Sequence, residues 1–340
     1  MSTVQLPADL QDALAERLHA TAPGRASAQV ERLIENYRGT TPTAAPILRD
    51  AADAAAYAAY RMPATYAAVR SALGAFRAQA GDWAPDSHLD LGGGTGAATW
   101  AVADAWPGGG HHSTVLDWSQ PALALGRELA RDAEEEAVRR AEWTRAPLGG
   151  APALPASDLV TVSYVLGELT PADRAALVDA AVAATRGALL VAEPGTPDGY
   201  RRVIEARDRL IAAGLTVLAP CPHDGTCPVT GTDWCHFAAR VPRTSLHRQV
   251  KGGTLPYEDE KFSYVAAARP AAVPGTPAAA RVVRHPQIRK GQVLLDLCTR
   301  DDGLTRTTVT KRHGPAYRAA RDTGWGETFS PASTSPESGD

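Results

Sequence analysis

The first 220 residues of this 340-residue chain contain no cysteine. The whole chain has only four, Cys221, Cys227, Cys235 and Cys298. A disulfide framework spread through the fold is thereby excluded, and an even set confined to the last third raises metal binding instead. No run of about 18 uninterrupted apolar residues occurs, which excludes a membrane-spanning helix. Met1 to Leu18 lacks a basic segment followed by an apolar one, so no secretory signal is read. Lysine is scarce, at 4 against 31 Arg, which points to compositional bias and lowers the weight of the Ala-rich stretches as helix signals. No internal repeat is present. The net charge of −3 gives no global case for nucleic acid, but it hides an asymmetry. Residues 1–220 carry 19 Arg against 26 Asp and Glu (−7), and residues 221–340 carry 16 Lys and Arg against 12 Asp and Glu (+4).

Four regions are expected. Residues 1–80 read as a helical N-terminal region. Leu6, Leu10, Leu14 and Leu18 form one apolar stripe, and Val30, Leu33, Ile34 and Tyr37 form a second, closed by Gly39. An Ala-rich helix over Ala51–Tyr60 is expected to break at Pro63, with another following to about Ala78. Residues 81–218 alternate short apolar runs with helical segments: His88–Leu91, Ser113–Leu116, Leu159–Tyr164 and Ala188–Ala192 as strands, Thr99–Ala105, Pro121–Arg140, Pro171–Thr185 and Gly199–Ala213 as helices. That alternation predicts an α/β Rossmann-like fold with a parallel sheet covered on both faces. Thr170, Pro171 and Asp173 mark one helix start. After Leu218 the alternation stops, and residues 219–326 form a Cys- and Gly-rich, partly β region with strands near Phe262–Ala266, Gly291–Thr299 and Thr305–Thr310. Residues 327–340 read as a disordered tail.

His88 to Gly96 (HLDLGGGTG) is a strand running into a glycine turn before a helix. Gly92, Gly94 and Gly96 permit positive φ and close approach of a ligand to backbone, and the helix N-terminus offers free N–H groups. Gly92, Gly94 and Ala97 also fit the dinucleotide fingerprint, so the loop alone leaves NAD and S-adenosylmethionine open. Asp90 tips the choice, because a carboxylate beside the ligand suits cationic amino and sulfonium groups and repels a pyrophosphate. Asp117 ends the second strand, where an acid can accept the ribose hydroxyls; its alternative role is a helix N-cap, which Ser119 could already fill. No lysine follows the glycines as in a P-loop, so an NTPase is not expected; an NAD-dependent oxidoreductase is the more distant rival. At the fourth strand end, Tyr164 and Glu168 are candidate pocket residues, and Glu193 follows the fifth strand at the same edge. No Asn/Asp-Pro-Pro-Tyr motif is present, which argues against methylation of adenine N6 or glutamine.

Cys221, Cys227 and Cys235 follow a C-x5-C-x7-C spacing in a loop, and Cys298 ends a strand. Zinc sites usually pair cysteines at C-x2-4-C, which is absent here, whereas an iron–sulfur cubane accepts wider spacing. Spacing leaves zinc as the alternative, with His223 and His236 as possible further ligands or as local hydrogen-bonding groups. Arg240, Arg243, Arg248 and Lys251 follow with no acid between Trp234 and Tyr257, and residues 281–321 hold ten Lys and Arg, among them Arg284, Arg289, Lys290, Lys311 and Arg312, against three Asp. A basic face beside a ligand pocket suits a phosphate backbone, so RNA is the expected partner.

These features together resemble the methyltransferase-like family associated with the small ribosomal subunit. The resemblance runs from about Tyr57 to Arg312. It rests on Tyr60-Arg-Met-Pro63, the glycine loop, Tyr164 to Leu169 (YVLGEL), Glu193 to Pro197 (EPGTP), the cysteine loop with Trp234 to Phe237, Tyr257 to Tyr264 (YEDEKFSY), and Cys298. It implies a class I methyltransferase fold, S-adenosylmethionine bound by Asp90, Gly92, Gly94, Gly96 and Asp117, and a 4Fe–4S cluster on Cys221, Cys227, Cys235 and Cys298. It also implies work on ribosomal RNA or on assembling small subunits, as an enzyme or as a non-catalytic assembly factor. With a short N-terminal region and no targeting peptide, the chain is expected to be bacterial and cytoplasmic, and a monomer.

Overall fold

The computed structural model describes residues 3–19, 50–150, 152–243 and 255–330. The expected helix around Val30–Tyr37, the cations Arg248 and Lys251, and residues 331–340 of the expected tail lie outside them.

Among the described residues the N-terminal part forms two helices, α1 (Ala8–His19) and α2 (Ala51–Arg77), the second capped by Asp50, which accepts the Asp53 N–H at 2.8 Å. Contrary to expectation, α2 does not break at Pro63. Proline removes one backbone donor and crowds the preceding turn, a cost of about 3 kcal/mol or more. Burial offsets it: Ala59, Met62, Pro63, Ala64, Tyr66 and Ala67 are all buried, and the small alanines let α2 approach the sheet closely.

The α/β part then runs β1 (Ser87–Leu91), α3 (Ala97–Ala105), β2 (His112–Asp117), α4 (Gln120–Ala130), α5 (Glu136–Arg139), β3 (Glu142–Arg145), β4 (Ser157–Ser163), α6 (Pro171–Ala184), β5 (Thr185–Pro194), α7 (Pro197–Ala212) and β6 (Thr216–Ala219). The single helix expected over Pro121–Arg140 is two. The edge strand β3, with only Trp143 buried, is too short and polar to be legible. Thr170 caps α6 as expected, accepting the Asp173 N–H at 3.2 Å.

The large sheet has the order β3-β2-β1-β4-β5-β8-β6. Strands β1 to β5 are parallel, and β8 (Tyr257–Ala268) is antiparallel to both β5 and β6. This is the Rossmann-like α/β arrangement expected for a class I methyltransferase fold. It corrects the expected boundary at 218/219: the chain leaves the sheet after β6, makes the cysteine loop and β7 (Phe237–Pro242), and returns to fill the gap between β5 and β6. The return is driven by burial, since Phe262 to Ala268 are all buried and only a central position accepts such a strand. Two apolar layers flank the sheet, one built with α1–α4 and the other with α6 and α7.

A second sheet holds β9 (Ala280–Val282), β10 (Gln287–Arg289), β11 (Gln292–Thr299) and β12 (Gly303–Thr310), with α8 (Pro315–Asp322) packed on one face. Val293, Leu295, Leu297 and Val309 make its core, and Phe329 completes it at 5% exposure. Packing therefore extends into the stretch expected to be a tail from residue 327. Among the described residues, no helix is long and apolar enough to cross a membrane.

Candidate functional site

The first cavity lies at the carboxyl edge of the parallel strands, has a volume of about 690 Å³, and is lined by Gly92, Gly94, Asp117, Trp118, Tyr164 and Glu168 among others. Its floor is the glycine turn. Gly94 has φ +54°, and its N–H donates to Asp117 Oδ2 at 2.9 Å; the Ser119 N–H donates to Asp117 Oδ1 at 2.7 Å. Ser119 itself caps α4, accepting the Ala122 N–H at 3.4 Å, so Asp117 is not the helix cap. Each carboxylate oxygen of Asp117 keeps a further lone pair for a ligand. Gly96, at φ +88°, is not part of the lining. A Cβ there would lie 2.5 Å from the Trp143 ring, so this glycine serves helix packing.

Two other expected site residues lie behind the wall. Asp90 is fully buried and accepts from Thr161 Oγ1 at 2.9 Å and Thr99 Oγ1 at 3.1 Å. It sits directly beneath the loop, where a Cβ on Gly93 would meet its Oδ2 at 2.6 Å. Burial pushes its carboxyl up to about 6, against the two threonine hydrogen bonds. Glu193 is also fully buried. It accepts the Leu166 N–H at 3.0 Å and the Arg202 guanidinium at 2.6 Å, and so braces the loop after β4 rather than facing the cavity.

Tyr164 and Glu168 do line the cavity. Tyr164 has φ +57°, a strained backbone for a bulky residue. Three contacts hold it there: its hydroxyl donates to Glu260 Oε1 at 3.0 Å, Arg61 grips Glu260 at 3.1 and 3.4 Å, and the Arg61 guanidinium lies 5.6 Å above the Tyr164 ring. Burial pushes the Glu168 carboxyl up to about 8, and the nearby charges of Asp117 and Glu193 push the same way. Sequence reasoning missed the contribution of α2, which supplies Tyr57, Met62 and Thr65 to this cavity, and of Trp118. The Tyr60-Arg-Met-Pro63 and Glu258-Asp-Glu260 segments held the signal for the Arg61–Glu260 pair, without saying that they meet.

The second cavity, of about 540 Å³, is lined by all four cysteines. Three come from the loop between β6 and β7. Cys298 comes from β11, whose ladder places it opposite Arg281 on one side and Leu304 on the other. Tyr200, Val203, Ile204 and Arg207 line it from one face of α7, at helical spacing. Tyr200 Oη lies 3.2 Å from Cys227 Sγ, and His223 Nε2 lies 3.6 Å from Cys298 Sγ. His236 engages locally, donating from Nδ1 to the Trp234 carbonyl at 3.3 Å. Burial and the neighbouring sulfurs push Cys298 up to about 12, and burial likewise raises Cys221 and Cys235. Among the described residues, no three His, Cys, Asp or Glu side chains are set closely enough to hold a single metal ion.

The basic segments are more paired than their sequence suggests. Register with β8 sets Arg240 on Asp259 at 2.8 Å and Arg243 on Glu258 at 3.4 Å, and Arg284 meets Asp233 at 2.5 Å. Arg289, Lys290, Lys311 and Arg312 stay exposed around the β10–β11 turn and the end of β12, where the Lys311 N–H donates to the Gly291 carbonyl. Among the described residues these four form no ion pair.

Comparison with known proteins places the chain. Residues 51–330 match the family model described as mitochondrial small ribosomal subunit Rsm22. The human mitochondrial ribosome assembly protein METTL17 is 30% identical over 292 residues, which cover 80% of this chain and 61% of that protein. A mitochondrial Rsm22-cox11 tandem protein of Schizosaccharomyces pombe is 26% identical over 200 residues, covering 45% of this chain and 26% of that protein. The chain thus spans about three fifths of the human relative and a quarter of the yeast one. Among solved structures, an O-methyltransferase family protein from Burkholderia thailandensis is similar at 17% identity and a TM-score of 0.43, covering 76% of this chain and 71% of that one. By its match over residues 51–330, the chain belongs to the Rsm22 family of mitochondrial small-ribosomal-subunit proteins.

Proposed function

We propose that this chain binds S-adenosylmethionine in the first cavity, carries a 4Fe–4S cluster in the second, and acts on small-subunit ribosomal RNA or on small-subunit assembly. The observation that carries the reading is the pair of cavities: a glycine turn with a free-lone-pair acid in one, and every cysteine of the chain in the other.

The residues fit the methyl donor. Asp117 offers acceptors for two ribose hydroxyls, the glycine turn allows backbone approach, and the Asp117 carboxylate in the lining suits a sulfonium cation. The bound donor would supply an electrophilic methyl group, and the protein's part is to position an acceptor and exclude water.

The residues also fit a cluster. Four thiols line one cavity with no carboxylate in its lining, the donor set a four-cysteine cluster uses. A zinc ion remains the alternative occupant. For the ribosomal partner, the exposed group Arg289, Lys290, Lys311 and Arg312 supports contact with a phosphate backbone.

One observation favours the non-catalytic assembly-factor reading. Tyr164, a hydroxyl residue of the cavity lining, donates to Glu260, which Arg61 holds in turn, so that hydroxyl is already engaged. The test is to bind labelled S-adenosylmethionine and then offer isolated small subunits. Transfer of label to RNA supports the enzyme, and binding without transfer supports the assembly factor. Affinity for NAD with none for S-adenosylmethionine overturns both.

A further inference from the structure

Two guanidinium groups are buried at the cysteine cavity. Arg207 on α7 is 1% exposed and Arg281 on β9 is 3% exposed. Both line the cavity, and among the described residues no Asp or Glu lines it with them. A buried cation without an acid is costly, so something must compensate. Carbonyls do part of this. Arg207 Nη2 donates to the His223 and Gly225 carbonyls at 2.8 and 2.7 Å, inside the Cys221–Cys227 loop. Arg281 donates from Nε to the Pro220 carbonyl and from Nη1 to the Gly326 carbonyl, both at 3.0 Å. Each side chain nevertheless keeps one buried donor with no partner among the described residues, Nε of Arg207 and Nη2 of Arg281. Asp208 lies 3.4 Å from Arg207 Nη1, but it is 66% exposed and sits on the solvent side.

The backbone aims both groups inward. Arg207 continues the α7 face that carries Tyr200, Val203 and Ile204 into the cavity. Arg281 is the ladder partner of Cys298, so the two side chains share one face of the second sheet. Around four neutral thiols, nothing in the cavity lining would balance two such cations, and the acid that Arg207 does meet, Asp208, is 66% exposed. Around a cluster the sum closes: an oxidised core of charge +2 on four thiolates carries −2, and two guanidiniums bring the site to neutrality. Addition of one electron takes the cluster to −3 and leaves the site, both guanidiniums included, with one net negative charge.

We propose that Arg207 and Arg281 are the receiving cation pair for the cluster: their unpartnered N–H groups hydrogen-bond to its sulfurs, and their charges raise its reduction potential. This rests on the cluster reading above. Hydrogen bonds to sulfur and local net charge are the protein's main controls on such potentials. The arginines also clasp the carbonyls on either side of Cys221, so they hold the loop in ligating position.

The test uses the full chain, loaded and handled anaerobically. Iron and sulfide are assayed on the wild-type protein first, and their absence sinks the cluster reading rather than this one. With the cluster present, the potential is then measured by EPR-monitored titration with dithionite for the wild type, Arg207→Gln, Arg281→Gln and Arg281→Lys. Each glutamine variant should shift the one-electron equilibrium at least tenfold toward the oxidised form, about 59 mV more negative, and release iron to a chelator faster. Arg281→Lys should stay closer to the wild type, because it keeps the charge. A second measurement needs no variant: on wild-type protein labelled with 15N-arginine, ENDOR of the reduced cluster should show coupling to arginine nitrogen. Unchanged potentials in folded glutamine variants, or no arginine coupling in the wild type, would overturn the proposal.

Discussion

Replacing Asp117 by asparagine should separate the two roles of this side chain. In the native protein Oδ1 accepts the Ser119 N–H at 2.7 Å and Oδ2 accepts the Gly94 N–H at 2.9 Å. An amide has one oxygen. Whichever way the new side chain is turned, its NH2 group faces a backbone N–H, and one donor at the mouth of the glycine turn loses its partner. A buried donor left unsatisfied costs about 1–3 kcal/mol, so the unliganded protein should lose stability of that order. The ligand loses more, because the same change removes a charged acceptor for one ribose hydroxyl and opens the turn that cradles the rest. Hydrogen bonds to charged groups are worth about 1.5–3 kcal/mol, which predicts roughly a 10- to 150-fold rise in Kd for S-adenosylmethionine. Equilibrium dialysis with labelled ligand, below the melting temperature of both proteins, reads the affinity, and thermal unfolding without ligand reads the stability. A variant that is destabilised but binds within threefold of the wild type would show that Asp117 only shapes the turn and touches no ligand.

Three further outcomes follow from the same geometry. Glu168, pushed up to about 8, is mostly protonated at neutral pH, so raising the pH from 7 to 9 adds negative charge to the cavity. Affinity for the sulfonium cation should rise over that window, affinity for the neutral sulfide product should not, and Glu168→Gln should flatten the difference, all measurable by calorimetry. His88 is buried, and burial, with the neighbouring His111 adding to it, lowers it to about 3, so the folded state resists a proton that the unfolded chain takes up near its ordinary pKa of 6.5. Stability should therefore fall as pH drops from about 6.5 toward 3, by roughly 2 kcal/mol at pH 5 from this group, as read from urea unfolding; equal stability at pH 7 and 5 in a protein whose other groups are accounted for would contradict it. Gly96→Ala places a Cβ 2.5 Å from the Trp143 ring at φ +88°. It should cost about 1–3 kcal/mol of stability in thermal unfolding, with a neutral result showing that the ring can move aside.

The parts legible in the sequence are those set by local chemistry. The alternation of buried strands with capped helices announced β1, β2, β4 and β5, and the glycine turn announced its own cavity. Asp117 lines that cavity, as its place at a strand end suggests. What stayed hidden depends on pairing across long separations. Strand β8 takes its place between β5 and β6 only because Phe262 to Ala268 need burial on both faces, and nothing in residues 219–256 signals that return. Arg240 and Arg243 read as an unopposed basic run because their acids, Asp259 and Glu258, lie on the strand that pairs with theirs. Asp90 reads as a ligand group from its charge within the first strand, and Glu193 from its place at the carboxyl edge, but the sequence does not tell that threonines and Arg202 hold their buried carboxylates. Pro63 was expected to end a helix that burial carries through it. Arg281 reads in the sequence only as one of a basic segment and Arg207 carries no signal, because only folding brings α7 and β9 to one cavity with the cysteines.

The proposed function turns most of all on what occupies the cavity of the four cysteines. Metal and sulfide analysis of the anaerobically purified full chain tests it directly. The protein should be brown, with iron and acid-labile sulfide in equal amounts, near four of each per chain, lost together when Cys298 is replaced by serine. A colourless protein holding one zinc and no sulfide, or one holding no metal, would contradict it.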